Sequence, residues 1–231
     1  MSVDFADAPD AKFYPELVEH GGLYRALRYI AEVRGLDVGE VRPGSDRGLG
    51  LYRTAVMQSN RGIIRISTVL NRRAFSISLD SAAGDFVWAS GSTGILDDVA
   101  EVVGAWRHGI LLAPLRERYP FIKFSQMAQG YEQGAPVETA WDILLGNDEY
   151  VSHREMLTAL HSNPRLRGLF PFFSHETLRL SMDCFNREAG EICIDLQDDG
   201  LYSVRSSLDG MVLADISMLA LTDAVASLLH E

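Results

Sequence analysis

The sequence predicts an α+β protein with antiparallel sheets flanked by helices, and two observations support this prediction. First, the order helix, four short strands, helix occurs twice along the 231 residues, with short connections between the strands. Second, the sequence has no glycine-rich phosphate-binding loop between a strand and a helix, so a parallel nucleotide-binding sheet is unsupported. We therefore expect two pseudo-repeated α-β-β-β-β-α halves, residues 1–108 and 152–231. A helical connector, residues 109–151, joins them, so the halves form either one compact pseudo-dimer or two domains.

The first helix is expected to begin at Pro15, since proline is tolerated in a first helical turn. Gly21-Gly22 is expected to divide this helix into two pieces, and Gly35 is expected to end it. Between these glycines, apolar side chains recur at helical spacing at Leu23, Leu27 and Ile30.

Strand signals follow the first helices, at residues 51–58, 63–70, 75–79 and 85–90. In the third, apolar residues alternate with serines, which is typical of a half-buried strand. A helix is then expected from about Ile95. Its first turn contains Asp97 and Asp98, which suit the positive end of the helix dipole.

In the connector, Ser125 is expected to cap a short helix, and residues 137–145 form another amphipathic segment. Residues 152–155 have the pattern of a capping box at the start of a further helix. More strand signals follow, at residues 176–183, 192–196, 201–206 and 211–216. Asp199-Gly200 and Asp209-Gly210 predict hairpin turns because these residues tolerate positive φ. A last helix is expected from Met218.

Composition indicates a soluble cytoplasmic protein. The chain is 47% hydrophobic and 23% charged, which is ordinary for a globular domain. No apolar run approaches the roughly 20 residues that span a bilayer, and the first residues do not resemble a signal peptide. We therefore expect no membrane partner. Cys184 and Cys193 are expected to be reduced in this compartment, although a hairpin disulfide stays open. The sequence does not define an oligomeric state.

The charge excludes one class of partner and suggests another. A formal net charge of −11 disfavours nucleic acid, because phosphates would be repelled. The acids are concentrated at one end: residues 183–231 hold ten acids and two bases. This segment is either an attractive surface for a basic protein partner or a solvated, solubilising surface.

Candidate ligand-binding residues lie close together in sequence, at Arg165, Arg167, His175 and Arg179. Arginine offers a planar fork to a carboxylate or phosphate. Alternatively, the first two arginines complement a helix dipole and Arg179 pairs with an acid across the sheet. Ser174 and His175 are not expected to form a catalytic pair, because adjacent strand residues point to opposite faces.

No metal or cofactor is expected, and no catalytic residue can be assigned. His153 and His161 are close to two helical turns apart, and Glu155 or His175 would have to complete a metal site with them. The set lacks the tight ligand spacing of known metal sites.

Several short runs carry a resemblance to a family. They are Gly21-Gly22-Leu23, Trp106-x-x-Gly109, Leu115-Arg116-x-x-Tyr119-Pro120-Phe121 and the run from Leu166 to Arg179 that contains Phe170-Pro171-Phe172 and Ser174-His175. They are similar to an uncharacterised family with a domain of unknown function whose members are labelled natural product biosynthesis proteins. This chain departs from the family at Tyr119, where the family carries Phe before Pro.

The resemblance implies an accessory role in a bacterial secondary-metabolite pathway and supplies no catalytic residues. The sequence therefore leaves three functions open. The first is an accessory binding protein for a small molecule of such a pathway. The second is an acidic immunity- or chaperone-type protein that binds a basic protein. The third is an enzyme that uses His175 with the nearby arginines.

Overall fold

The computed structural model describes residues 10–44, 50–84 and 86–229, with the exception of the side chains of Leu51 and Arg187. The chain divides into two compact units, Met1–Gln129 and Gly130–Glu231, and the division falls inside the predicted connector. Each unit contains one antiparallel sheet and its own helices, so the predicted α+β class is confirmed. The pseudo-repeat of two halves stays a prediction.

The first unit contains a sheet with the strand order β1-β2-β3-β4-β5-β6. Its strands are β1 Arg42–Pro43, β2 Thr54–Ser59, β3 Gly62–Thr68, β4 Phe75–Asp80, β5 Val87–Thr93 and β6 Ile122–Lys123. Its helices are α1 Pro15–His20, α2 Leu23–Arg34, α3 Gly50–Arg53, α4 Leu96–Arg107, α5 Leu112–Arg118 and α6 Gln126–Gln133, the last of which runs across the division between the units.

Local signals predicted the helix ends of this unit well. Gly21 and Gly35 have left-handed backbones, with φ of 73° and 65°, and each ends a helix as predicted. Ser125 caps α6, because its hydroxyl accepts the Ala128 N–H at 3.0 Å. The predicted strand at 51–58 starts late, since α3 occupies its first residues.

The core of the first unit lies between one face of this sheet and the helices. Alternate strand residues are buried, among them Ile64, Ile66, Phe75, Ile77 and Leu79. Trp106 from α4 is 1% exposed and belongs to the same cluster. In β4, the serines that alternate with the buried apolar residues lie on the opposite face of the sheet, as the sequence predicted for a half-buried strand.

The second unit contains a meander with the strand order β11-β10-β9-β8-β7. Its strands are β7 Phe170–Ser174, β8 Thr177–Ser181, β9 Glu191–Leu196, β10 Tyr202–Ser206 and β11 Val212–Ile216. Its helices are α7 Pro136–Gly146, α8 Arg154–Ser162 and α9 Met218–Ser227, with short 3-10 helices at Asp148–His153 and Arg187–Ala189.

Two expectations for this unit are corrected. The sequence did not predict β7, because Pro171 favours a turn; here proline occupies an edge strand, where a missing N–H is tolerated. The capping box at 152–155 is wrong, because a 3-10 helix runs through Ser152 and α8 begins only at Arg154, without a side-chain cap. The two Asp-Gly turns are confirmed: Gly200 and Gly210 have φ of 81° and 70°.

The second core is separate in its residues from the first. Leu178, Leu180, Ile192, Ile194 and Val204 project from one face of the meander and are buried. They cluster with residues of α7, α8 and α9. Trp141 of α7 is 1% exposed, and its indole N–H donates to the Leu169 carbonyl at 3.1 Å.

The described helices include none that is long and apolar enough to cross a membrane. Cys184 and Cys193 are free thiols.

Candidate functional site

The predicted ligand-binding residues all lie in the second unit, on three different segments. Arg165 and Arg167 follow α8, and the Arg165 guanidinium donates to the Leu229 carbonyl at 3.3 Å. His175 lies in the turn between β7 and β8. Arg179 lies within β8 and pairs with Glu191 at 2.9 Å, which is the cross-strand pair of the alternative interpretation. A joint anion site of these residues stays a prediction.

The outer face of this sheet, away from the core, carries a symmetrical charge arrangement around Cys193. Arg179 of β8 and Arg205 of β10 are the register neighbours of Cys193 on its two sides. Arg179 pairs with Glu191, and Arg205 pairs with Asp195 at 2.9 Å. Two diagonal ion pairs therefore neutralise the cations on this face and tie β9 to both neighbouring strands.

The protonation states at this face suit a structural role. The pKa of Asp195 lies below its usual value. Burial alone would raise this pKa, but hydrogen bonds from the Thr177 hydroxyl and the Arg205 guanidinium stabilise the carboxylate and together have the larger effect. Burial raises the pKa of the Cys193 thiol despite the two nearby arginines. Because the thiolate is the reactive form of cysteine, a raised pKa disfavours reaction at Cys193.

The tip of the β7–β8 hairpin has an unusual backbone. His175 and Glu176 form a two-residue turn with φ of 51° and 68°, both in the left-handed region. Such turns favour Asn-Gly, because in the left-handed region the Cβ of most residues lies too close to a backbone carbonyl oxygen, whereas Gly has no Cβ and Asn tolerates this region. Ser174 Oγ lies 3.3 Å from His175 Nδ1. The expectation that these two side chains point apart is wrong, since His175 belongs to the turn and not to the strand.

The contact between Ser174 and His175 lacks the remaining parts of a catalytic site. An activated serine needs a base that a third group orients. In the described parts of the chain, no carboxylate hydrogen-bonds to the His175 ring, and the Ser174–His175 contact is exposed. The geometry therefore gives the pair no support as a nucleophile and base.

Replacing His175 with Asn and Glu176 with Gly is expected to stabilise the protein by about 1–3 kcal/mol, because the new residues tolerate positive φ. The midpoint of urea unfolding measures this change. Asp199→Asn is the matched control: it alters a turn that already contains the favourable Gly200, so its expected effect is within about 0.5 kcal/mol. A double variant no more stable than wild type would contradict the claim that the turn is strained.

The histidines considered for a metal are in aromatic contacts. The His153 ring lies 5.0 Å from Phe173, and the His161 ring lies 5.2 Å from Trp141. Across residues 10–44, 50–84 and 86–229, there is no group of three or more His, Cys, Asp or Glu side chains placed to hold a metal.

The first unit has a concavity of about 450 Å³ on the outer face of its sheet. Thr54, Ser67 and Ser76 form a row of hydroxyls in register across β2, β3 and β4. Beside this row, Arg65 pairs with Asp80, whose side chain is 8% exposed and also accepts a hydrogen bond from the Ser78 hydroxyl. Sequence reasoning missed this surface, because it depends on the register of three strands.

The division of the chain reveals how its charge is distributed. Gly130–Glu231 contains 17 acids and six bases, for a net charge of −11, whereas Met1–Gln129 contains 15 of each. The second unit therefore carries the entire formal net charge of the protein. The sequence segment 183–231 alone showed only part of this asymmetry.

Comparison with known proteins gives one match. Residues 135–231 match the model of a family described as "Family of unknown function (DUF6193)". No curated protein and no solved structure matches the chain. The predicted resemblance to an uncharacterised family with a domain of unknown function is confirmed, whereas the natural-product label stays a prediction. The matched residues, 135–231, therefore all lie in the second unit.

Proposed function

We propose that this chain is a non-catalytic accessory protein of a bacterial natural-product pathway, and that its second unit binds a basic protein partner in the cytoplasm. The observation that carries the proposal is the confinement of the whole net charge of −11 to Gly130–Glu231. An excess of one sign on one unit creates a field that accelerates and orients the encounter with a partner of the opposite sign.

Ion pairs within the second unit engage some of its arginines, and most of its acidic side chains lie outside these pairs. Arg179 and Arg205 are engaged with Glu191 and Asp195, and Arg154 lies 3.7 Å from Asp148. Exposed carboxylates lie in the loops at both ends of the sheet: Glu176, Asp198 and Asp199 at one end, and Asp183 and Asp209 at the other. A basic partner would complement these exposed carboxylates, whereas the internal pairs offer it little.

A small molecule is the second candidate ligand, and the concavity of the first unit favours it. The hydroxyls of Ser67 and Ser76 can both donate and accept hydrogen bonds there. A pocket of this size fits a small ligand. This role would belong to the unit that lies outside the family match.

A native mass spectrum of the chain isolated from its own host distinguishes the two ligands. The proposal predicts a bound protein whose calculated net charge is positive. The purified pair should lose affinity by about tenfold or more between about 50 and 300 mM salt, because salt screens exposed charges.

Two results would contradict the proposed partner. One is a bound protein that is acidic or neutral, or whose affinity does not change with salt; the charge would then be only a solubilising surface. The other is a mass increase of small-molecule size without a protein partner, which would favour the concavity of the first unit.

A further inference from the structure

We propose that an exposed apolar patch at one end of the second sheet is the docking surface for the basic partner, and that it receives an apolar side chain flanked by lysine or arginine. We call this surface the loop-end patch; it consists of Leu208, Met211 and Val212. The inference rests on the proposed function, and it adds the position of the contact and the chemistry of the partner segment.

The patch lies at an end of the meander where two loops are neighbours. Residues 182–190 connect β8 to β9, and residues 207–211 connect β10 to β11. The Ser207 N–H donates to the Glu191 carbonyl at 2.9 Å, and the Glu191 N–H donates to the Ser207 hydroxyl at 2.8 Å. Leu208 packs on Gly190: a Cβ at that glycine would lie 2.5 Å from Leu208 Cγ. The loops therefore lie side by side.

The patch concentrates the exposed apolar side chains of the unit. Among its described residues, seven large apolar side chains are exposed, and three of them belong to the loop from β10 to β11 and the start of β11. Val212 is 55% exposed, Leu208 50% and Met211 47%. Phe185 in the neighbouring loop is 68% exposed, but its ring lies 5.5 Å from the Tyr131 ring, so it is not counted in the patch. Grouped exposed apolar side chains with a polar rim mark interaction surfaces, whereas single ones do not.

Carboxylates are fixed directly beside these apolar side chains. Asp183 accepts the N–H of Phe185 at 2.8 Å, and Asp209 accepts the N–H of Met211 at 2.9 Å. In sequence, the two loops hold three acids and one base. The patch thus presents an apolar side chain two residues after an acid, next to a loop that holds two further acids, and this arrangement complements a partner segment that combines an apolar anchor with basic residues.

The edge of the sheet argues for contact by side chains and against strand addition. β11 is an edge strand, but the register of its pairing with β10 shifts between Tyr202 and Val204, which indicates a β-bulge. Asp215 of β11 also has a positive φ of 56°. Such a bulge twists an edge away from a regular partner strand, and a charge on the edge disfavours pairing further.

Two fluorescent peptides test the inference with the full chain. One alternates lysine with phenylalanine and leucine, and the other alternates lysine with serine at the same length and charge. Fluorescence anisotropy at low salt gives both affinities. We expect the apolar peptide to bind about tenfold more tightly, because a buried aromatic anchor dominates such contacts. Met211→Ser and Leu208→Ser should each remove most of this difference. Leu219→Ser, on α9 at a side chain that is 97% exposed, should leave it unchanged.

The outcomes separate the inference from the proposed function. If both peptides bind equally and in a salt-sensitive manner, the charge proposal stands and the loop-end patch is overturned. If Leu219→Ser weakens binding of the apolar peptide as much as Met211→Ser does, the contact is not specific to the patch and the inference is also overturned. If neither peptide binds, both the proposed function and the inference fail. Circular dichroism of each variant verifies that it is folded.

Discussion

Replacing Trp141 with alanine is expected to destabilise the second unit by about 3–5 kcal/mol, the cost of removing a large aromatic side chain from a core. Trp141 is 1% exposed and lies among the core residues that the meander shares with α8 and α9. The substitution also removes the indole N–H that donates to the Leu169 carbonyl, just before β7. This carbonyl loses its partner, which adds to the cost of the cavity.

Hydrogen exchange followed by mass spectrometry locates the effect within the chain. Peptides from β8 and β9 should lose protection in Trp141→Ala, while peptides from β3 and β4 keep it, since the two core clusters have no residue in common. Trp106→Ala, at a tryptophan that is 1% exposed in the first core, is the matched control and should show the reverse pattern. Equal loss of protection in both units for either variant would contradict the assignment of two separate cores.

Gly62→Ala is expected to destabilise the first unit by about 2–6 kcal/mol, combining about 1–3 for backbone strain with about 1–3 for overpacking. Gly62 has φ of 134°, which L side chains rarely adopt. A Cβ there would lie 2.2 Å from the Asp80 carbonyl oxygen and 2.5 Å from the Ser81 carbonyl carbon. These are backbone atoms, so the end of β4 would have to shift.

Gly84→Ala provides the comparison that separates the clash from the strain. Gly84 also has a positive φ, 74°, but a Cβ there would meet nothing within 4 Å. Its expected cost is therefore only the backbone term of about 1–2 kcal/mol. Urea unfolding midpoints of the two variants give the difference. If both variants were destabilised equally, the close approach of β4 to Gly62 would be refuted.

Features encoded by neighbouring residues could be predicted from the sequence. Gly21, Gly35, Gly200 and Gly210 end helices or form turns where expected, because positive φ is a local property that glycine alone adopts freely. The Ser125 cap was predicted for the same reason. Features that depend on the surrounding structure could not be predicted in this way. Pro171 favours a turn when the local sequence is considered alone, yet it lies in an edge strand, where the N–H that proline lacks is not required for strand pairing.

Features that require strands to be in register could not be predicted. The sequence indicated that Arg179 pairs with an acid across the sheet, but only the pairing of β8 with β9 identifies Glu191 as that acid. The pair of Arg65 and Asp80 and the hydroxyl row of the first sheet depend on register in the same way. The charge asymmetry was visible in the sequence, but its full size required the division between Gln129 and Gly130.

The most direct test of the central claim compares charge removal in the two units. Asp142, Asp198 and Asp223 are exposed acids of the second unit, and their triple change to Asn removes three charges. The matched triple changes the exposed acids Glu19, Glu32 and Glu117 of the first unit to Gln. Anisotropy with the lysine–serine peptide gives the Kd of each variant.

The second-unit variant is expected to bind roughly threefold or more weakly, because each exposed charge contributes about 0.2–1 kcal/mol. The first-unit variant should bind like the wild-type chain. Equal weakening by both variants, or no weakening by either, would contradict the claim that the second unit is the acidic binding unit of this protein.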